Sequence, residues 1–95
     1  MISSTSDGRI RISRQALREA GFQPGNRISV VRNSQNSISI IPSNNVPPNT
    51  TRVDYRVESD GRARISNSAI RSLSVRSRRK SPGCSVSNKT ITVSL

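Results

Sequence analysis

The sequence predicts a mainly β protein with two short helices, built from two tandem copies of one unit. Three observations carry this expectation. A seven-residue segment recurs at a 53-residue offset, apolar and polar residues alternate at period two through much of the chain, and a stretch in each copy switches to helical spacing.

The offset aligns Asp7-Gly8-Arg9-Ile10-Arg11-Ile12-Ser13 with Asp60-Gly61-Arg62-Ala63-Arg64-Ile65-Ser66, identical at six of seven positions. Without a gap it also pairs Ala16 with Ala69, Leu17 with Ile70 and Arg18 with Arg71, then Ser37-Ile38-Ser39-Ile40 with Thr90-Ile91-Thr92-Val93. Nineteen residues are Ser, so Ser matches come cheaply; the shared Asp-Gly-Arg and the shared periodicity are what favour duplication. Residues 1–42 form the first repeat and 52–95 the second, more divergent one. Between them, 43–51 is a linker whose prolines favour extended backbone, with a reach on the order of 30 Å at about 3.1 Å per residue.

Each repeat reads as strand, short helix and hairpin. Ile10 and Ile12 alternate with Arg9 and Arg11, which turns the isoleucines inward and the arginines outward; Arg62 and Arg64 repeat the arrangement. Ser13 resembles a helix N-cap and Gly21 a stop, with Ala16, Leu17 and Ala20 on one face and Arg14, Gln15, Arg18 and Glu19 on the other. From Ser66 onward, Ala69, Ile70 and Leu73 form the equivalent stripe, opposite Asn67, Ser68, Arg71 and Ser72. Such short helices hold only through tertiary packing. Gln23-Pro24-Gly25-Asn26 is a turn signal, and Ile28, Val30, then Ile38, Ile40 make a hairpin about a polar turn at Asn33 to Asn36. In the second copy Cys84 and Val86 alternate in the opposite register to Ile28 and Val30, which predicts a bulge or local slip there. Val53, Tyr55 and Val57 alternate as an opening strand of the second copy, with a reduced counterpart around Ile2.

Composition narrows the chemistry. The chain has 95 residues, 31% of them hydrophobic and only Phe22 and Tyr55 aromatic, so neither copy buries much apolar area alone. There is no His and a single Cys, Cys84, so the usual zinc sites, Ser–His relays and Cys–His nucleophiles each lack a member. We expect no enzyme, no cofactor and no metal. Asp54, Glu58 and Asp60 are the only clustered acids, and a mixed-charge loop and strand is a commoner use of them than a two-metal nuclease site. A lone Cys forbids an internal disulfide, and no apolar run approaches the roughly 20 residues of a membrane span. The expected location is cytoplasmic and nucleoid-associated, with no membrane partner.

The strand Asp-Gly-Arg, the Ile-Ser entry to a short helix carrying Leu-Arg, a Gly, then Phe-Gln-Pro-Gly-Asn-Arg-Ile and a hairpin resemble the AbrB/MazE/MraZ superfamily of swapped-hairpin DNA-binding proteins. Residues 7–42 carry most of the likeness. The chain departs from the usual pattern at Ser13, where Pro is common, at Asn26, where Asp is common, and at Leu17-Arg18, one position late. The resemblance implies two ββαββ-type repeats that interleave hairpins into one intertwined barrel about a pseudo-two-fold axis, here within one chain as in the MraZ branch. It also implies DNA contact by Arg9, Arg62, Arg18 and Arg71.

Sixteen Lys and Arg against five Asp and Glu leave a net charge of +11, and fourteen of the sixteen are Arg, whose planar fork suits phosphate. The partner so indicated is a polyanion. Strand residues Arg9 and Arg11, and Arg62 and Arg64, stand about 6.6 Å apart along extended backbone. Helix residues Arg14, Arg18 and Arg71 add to them, and Arg76-Ser77-Arg78-Arg79-Lys80 is the densest basic run, either a phosphate clamp at Arg76, Arg78, Arg79 and Lys80 or a solvated turn. Two aromatics cannot build the stacking platform of a single-strand binder, so double-stranded DNA is the expected ligand, with duplex RNA open. The expected function is transcriptional regulation, with further homo-oligomerisation and a protein partner as additional expectations. Alternatives from other classes are a toxin-neutralising antitoxin, against which the strand ending at Leu95 counts, and a basic mobile-element protein that binds a protein or RNA assembly.

Overall fold

A computed structural model describes residues 2–4, 10–76 and 83–95. In chain order its elements are β1 (Ile2–Ser4), β2 (Ile10–Ile12), α1 (Arg14–Glu19), β3 (Arg27–Ser34), β4 (Ser37–Pro42), a 3-10 turn at Ser43–Asn45, β5 (Arg52–Arg56), β6 (Ala63–Ile65), α2 (Asn67–Ser72), β7 (Gly83–Ser87) and β8 (Thr90–Ser94). The protein is thus mainly β with two short helices. The strands form two antiparallel sheets, one ordered β1-β2-β6 and one ordered β5-β3-β4-β8-β7. Among the described residues neither sheet closes on itself, in contrast to the single barrel expected. The outer strands of the smaller sheet, β1 and β6, pair with no strand of the larger sheet among the described residues.

Residues from both halves of the sequence enter both sheets and share one core. Ile10, Ile12, Leu17, Ile28, Val30, Ile38 and Ile40 pack with Val57, Ile65, Ile70, Ile91 and Val93 in a single cluster, all almost wholly buried. Two registers link the halves. In β2–β6, Arg11 stands opposite Arg64, flanked by Ile10 opposite Ile65 and Ile12 opposite Ala63. In β4–β8, Ser39 stands opposite Thr92, flanked by Ile38 opposite Val93 and Ile40 opposite Ile91. Each central pair joins residues 53 apart, the offset of the sequence match. Contacts at the hairpin tips run crosswise as well. The Lys89 N–H donates to the Ala20 carbonyl at the end of α1 (2.9 Å), and the Arg76 N–H, just past α2, donates to the Gln35 carbonyl in the β3–β4 turn (2.8 Å).

The helices are short and capped at both ends. Ser13 Oγ accepts from the Ala16 N–H at 3.2 Å, and Ser66 Oγ from the Ala69 N–H at 3.4 Å. After α1 the Phe22 N–H reaches the Leu17 carbonyl (2.8 Å) and the Gly21 N–H the Arg18 carbonyl (3.0 Å), with Gly21 left-handed at φ 89. After α2 the Val75 N–H reaches Ile70 (3.2 Å) and the Ser74 N–H reaches Arg71 (3.0 Å), with Ser74 left-handed at φ 59. Both ends are Schellman motifs. Only the first has the residue that the backbone prefers.

The hairpins differ where the sequence suggested, though the irregularity lies in β3–β4 rather than in β7–β8. The β3–β4 register shifts by one residue between Arg32 and Ser34, whereas the β7–β8 register is unbroken from Gly83 to Thr90. The second hairpin keeps throughout the register that the first adopts only at its tip. Cys84 and Val86 therefore stand opposite Val93 and Ile91 without a bulge of their own, Val86 packed partly against the core and Cys84 exposed. The linker also departs from an extended span. It folds into the 3-10 turn and crosses the outer side of β3, where Ser43 Oγ meets Ser29 Oγ at 2.9 Å, before β5 pairs with β3. This contact explains why Ser29, on an outward strand position, is fully buried.

Candidate nucleic-acid interface

The alternation of β2 and β6 sets the site. Ile10 and Ile12, and Ala63 and Ile65, are buried, so Arg11 and Arg64 between them are forced to the outer side of the small sheet. Because they are register partners, their Cβ atoms lie about 5 Å apart, a direct like-charge apposition that works against pairing. Among the described residues Arg64 Nε pairs with Glu58 Oε2 at 3.7 Å, and both side chains are near half exposed. Such a pair contributes at most about 1 kcal/mol. No carboxylate among the described residues is within ion-pair distance of Arg11.

The turn entering β6 is well defined. Asp60 Oδ1 accepts from the Arg62 N–H (3.0 Å), the Glu58 N–H donates to the Arg62 carbonyl (2.8 Å), and the Gly61 N–H donates to the Glu58 carbonyl (2.8 Å). Arg62 is exposed at this turn, two residues before Arg64. Gly61 has φ 83, and a Cβ there would meet Arg14 Cγ at 2.7 Å and Cδ at 2.9 Å. The stem of Arg14, from the first turn of α1, therefore lies across the backbone of the second Asp-Gly-Arg segment. Arg14 and Arg18 line a cleft of about 390 Å³ with Gly61, Phe22, Gln23 and Pro24. Phe22 reaches it through the Schellman end of α1, and Pro24 through a turn in which Gly25 is left-handed at φ 88 and Asn26 Oδ1 accepts from the Gln23 N–H (2.8 Å).

The candidate residues thus fall into groups. Arg11 and Arg64 are adjacent, and Arg14, Arg18 and Arg62 gather about the turn that leads into β6. Arg71 is exposed on α2, outside that cleft, and Arg76 is exposed beside the β3–β4 turn, on a different element from the strand pair. Arg9, Arg78, Arg79 and Lys80 lie outside the described residues. The acids are occupied with structure: Asp54 Oδ1 accepts from Ser29 Oγ (2.6 Å) and pairs with Arg52 Nε (3.3 Å), Glu58 pairs with Arg64, and Asp60 caps its turn. Among the described residues no three His, Cys, Asp or Glu gather as a metal site, and no helix is long and apolar enough to cross a membrane.

Sequence reasoning passed over five cations, Arg27, Arg32, Arg52, Arg56 and Lys89, and three of them gather on the β3–β5 pair. Arg52, Asp54 and Arg56 alternate with Val53 and Tyr55, so the period-two pattern already placed Arg52 and Arg56 outward. That Arg27 stands opposite Arg56 depends on the β3–β5 register, which no local signal encodes. Tyr55, expected as an aromatic and as part of an alternating strand, is also a brace: its hydroxyl accepts from the Ser66 N–H at 3.3 Å and ties β5 to the cap of α2. The chain matches no family model, no curated protein and no solved structure.

Proposed function

We propose that this protein binds double-stranded DNA through the outer side of the β1-β2-β6 sheet and acts as a transcriptional regulator. On this reading the two repeats form a pseudo-dimer of the AbrB/MazE/MraZ type, with a pseudo-two-fold axis running through the Arg11–Arg64 and Ser39–Thr92 pairs. The registers of β2–β6 and β4–β8 and the crosswise hairpin contacts support that axis.

One observation carries the proposal: residues at equivalent places in the two repeats, Arg11 and Arg64, are held face to face in the open. Apposed cations cost stability, and a phosphate backbone removes that cost by neutralising them. Two guanidiniums about a dyad also match the local two-fold symmetry of a duplex, which favours a palindromic target. Arg14, Arg18 and Arg62 flank the pair as further positioning contacts.

The test is fluorescence anisotropy with a labelled duplex. We expect Arg11→Gln/Arg64→Gln to lose about tenfold or more in affinity, as removal of two charge-assisted phosphate contacts requires, with an unchanged circular dichroism spectrum. A folded double variant that binds as tightly as the parent overturns the assignment.

A further inference from the structure

A second cross-strand arginine pair lies on the other sheet. Arg27 of β3 stands directly opposite Arg56 of β5, both exposed. The backbone under them is firm, because the ladder continues past the strands through the Val57 N–H to the Asn26 carbonyl (2.9 Å) and the Gly25 N–H to the Val57 carbonyl (2.8 Å). The pair opens on a cleft of about 390 Å³ lined also by Arg52, Ser43, Asp54 and Tyr55. Among the described residues Asp54 is the one acid of that lining and is already engaged by Arg52 Nε and Ser29 Oγ, while Arg52 also donates to the Ser43 carbonyl at 3.2 Å. No carboxylate among the described residues is within ion-pair distance of Arg27 or Arg56. Arg27 also lines the adjoining cleft, to which Lys89 contributes another cation.

We propose that Arg27 and Arg56 form a second site for a phosphate group, separate from the Arg11–Arg64 pair. The like-charge apposition is held by a rigid ladder, and the Asp54 carboxylate beside it is spent on Arg52 and Ser29. A tetrahedral dianion between two guanidinium forks relieves the repulsion and accepts several charge-assisted hydrogen bonds at once. The phosphate has two sources, the backbone of a bound duplex or a free phosphate ester. Only the first rests on the DNA-binding reading.

The chemistry is tested with inorganic phosphate, titrated against chloride at equal ionic strength while the arginine Nε–H resonances are followed by NMR. Saturable shifts at Arg27 and Arg56, and loss in Arg27→Gln/Arg56→Gln of the phosphate response at neighbouring amides, are expected. A higher thermal midpoint in phosphate than in chloride should vanish in the same variant. Absence of a saturable shift in the parent, or an equal response of those amides in the variant, overturns the site. The source is then read with a duplex. A loss of about threefold or more in affinity, with a shallower salt dependence, assigns the site to nucleic-acid backbone, whereas unchanged duplex affinity with phosphate binding intact assigns it to a free phosphate ester. A protein that answers phosphate at Arg27 and Arg56 yet binds no duplex refutes the DNA-binding reading and leaves this site standing.

Discussion

The two helix ends offer a controlled comparison, because one motif is closed by Gly21 and its counterpart by Ser74. Both residues are left-handed, at φ 89 and φ 59, and both are followed by the same pair of hydrogen bonds. A non-glycine residue in that conformation costs about 1–2 kcal/mol, whereas glycine gives back roughly 0.5–1 kcal/mol through the greater freedom of the unfolded chain. Ser74→Gly is therefore expected to stabilise by about 0.5–1 kcal/mol. For a domain of this size that raises the thermal midpoint by roughly 2–8 °C. Gly21→Ala should do the reverse by about 1 kcal/mol. Its new methyl would lie 3.5 Å from Lys89 Nζ, an ordinary contact, so the cost comes from the backbone alone. Urea unfolding followed by circular dichroism measures both. A destabilised Ser74→Gly, or a neutral Gly21→Ala, would refute the equivalence of the two helix ends.

Other expectations follow from single contacts. Gly61→Ala faces both a left-handed backbone and the Arg14 stem at 2.7 Å, so it should cost more than Gly21→Ala and displace Arg14, read as a change in the Arg14 Nε–H resonance. Tyr55→Phe removes the acceptor for the Ser66 N–H and should destabilise by about 0.5–1.5 kcal/mol in urea, without altering the Arg11–Arg64 pair. Partial desolvation pushes the thiol of Cys84, an exposed residue, above its ordinary value. The thiolate is the reactive form, so at about pH 8 iodoacetamide should alkylate folded protein more slowly than protein in urea, the gap closing as pH rises and the folded thiol ionises too. Equal rates at that pH would contradict this placement of Cys84.

Local signals in the sequence reached the elements well and the assembly less far. The Ile10–Ile12 alternation, the Ser13 and Ser66 caps, the apolar stripe of Ala16, Leu17 and Ala20 and the Pro24-Gly25 turn all act within a few residues, and each stands as expected. The opposite phase of Cys84 and Val86 was legible too, but not which hairpin carries the bulge, because a phase difference fixes only the relative register of two hairpins. The linker's turn over Ser29 depends on a hydroxyl pair 14 residues apart, a contact that proline content does not encode. At the candidate site, outward-facing Arg11 and Arg64 follow from alternation. Their mutual apposition and the Arg27–Arg56 pair follow from long-range registers alone.

The salt dependence of duplex binding bears most directly on the role of the Arg11–Arg64 pair. Each neutralised phosphate contributes about −0.9 to the slope of log K against log salt, so removing two contacts should flatten that slope by about 2. Measured for the parent and for Arg11→Gln/Arg64→Gln, a difference of that size is the predicted result. Parallel lines of equal slope would show that these two arginines never meet the phosphate backbone.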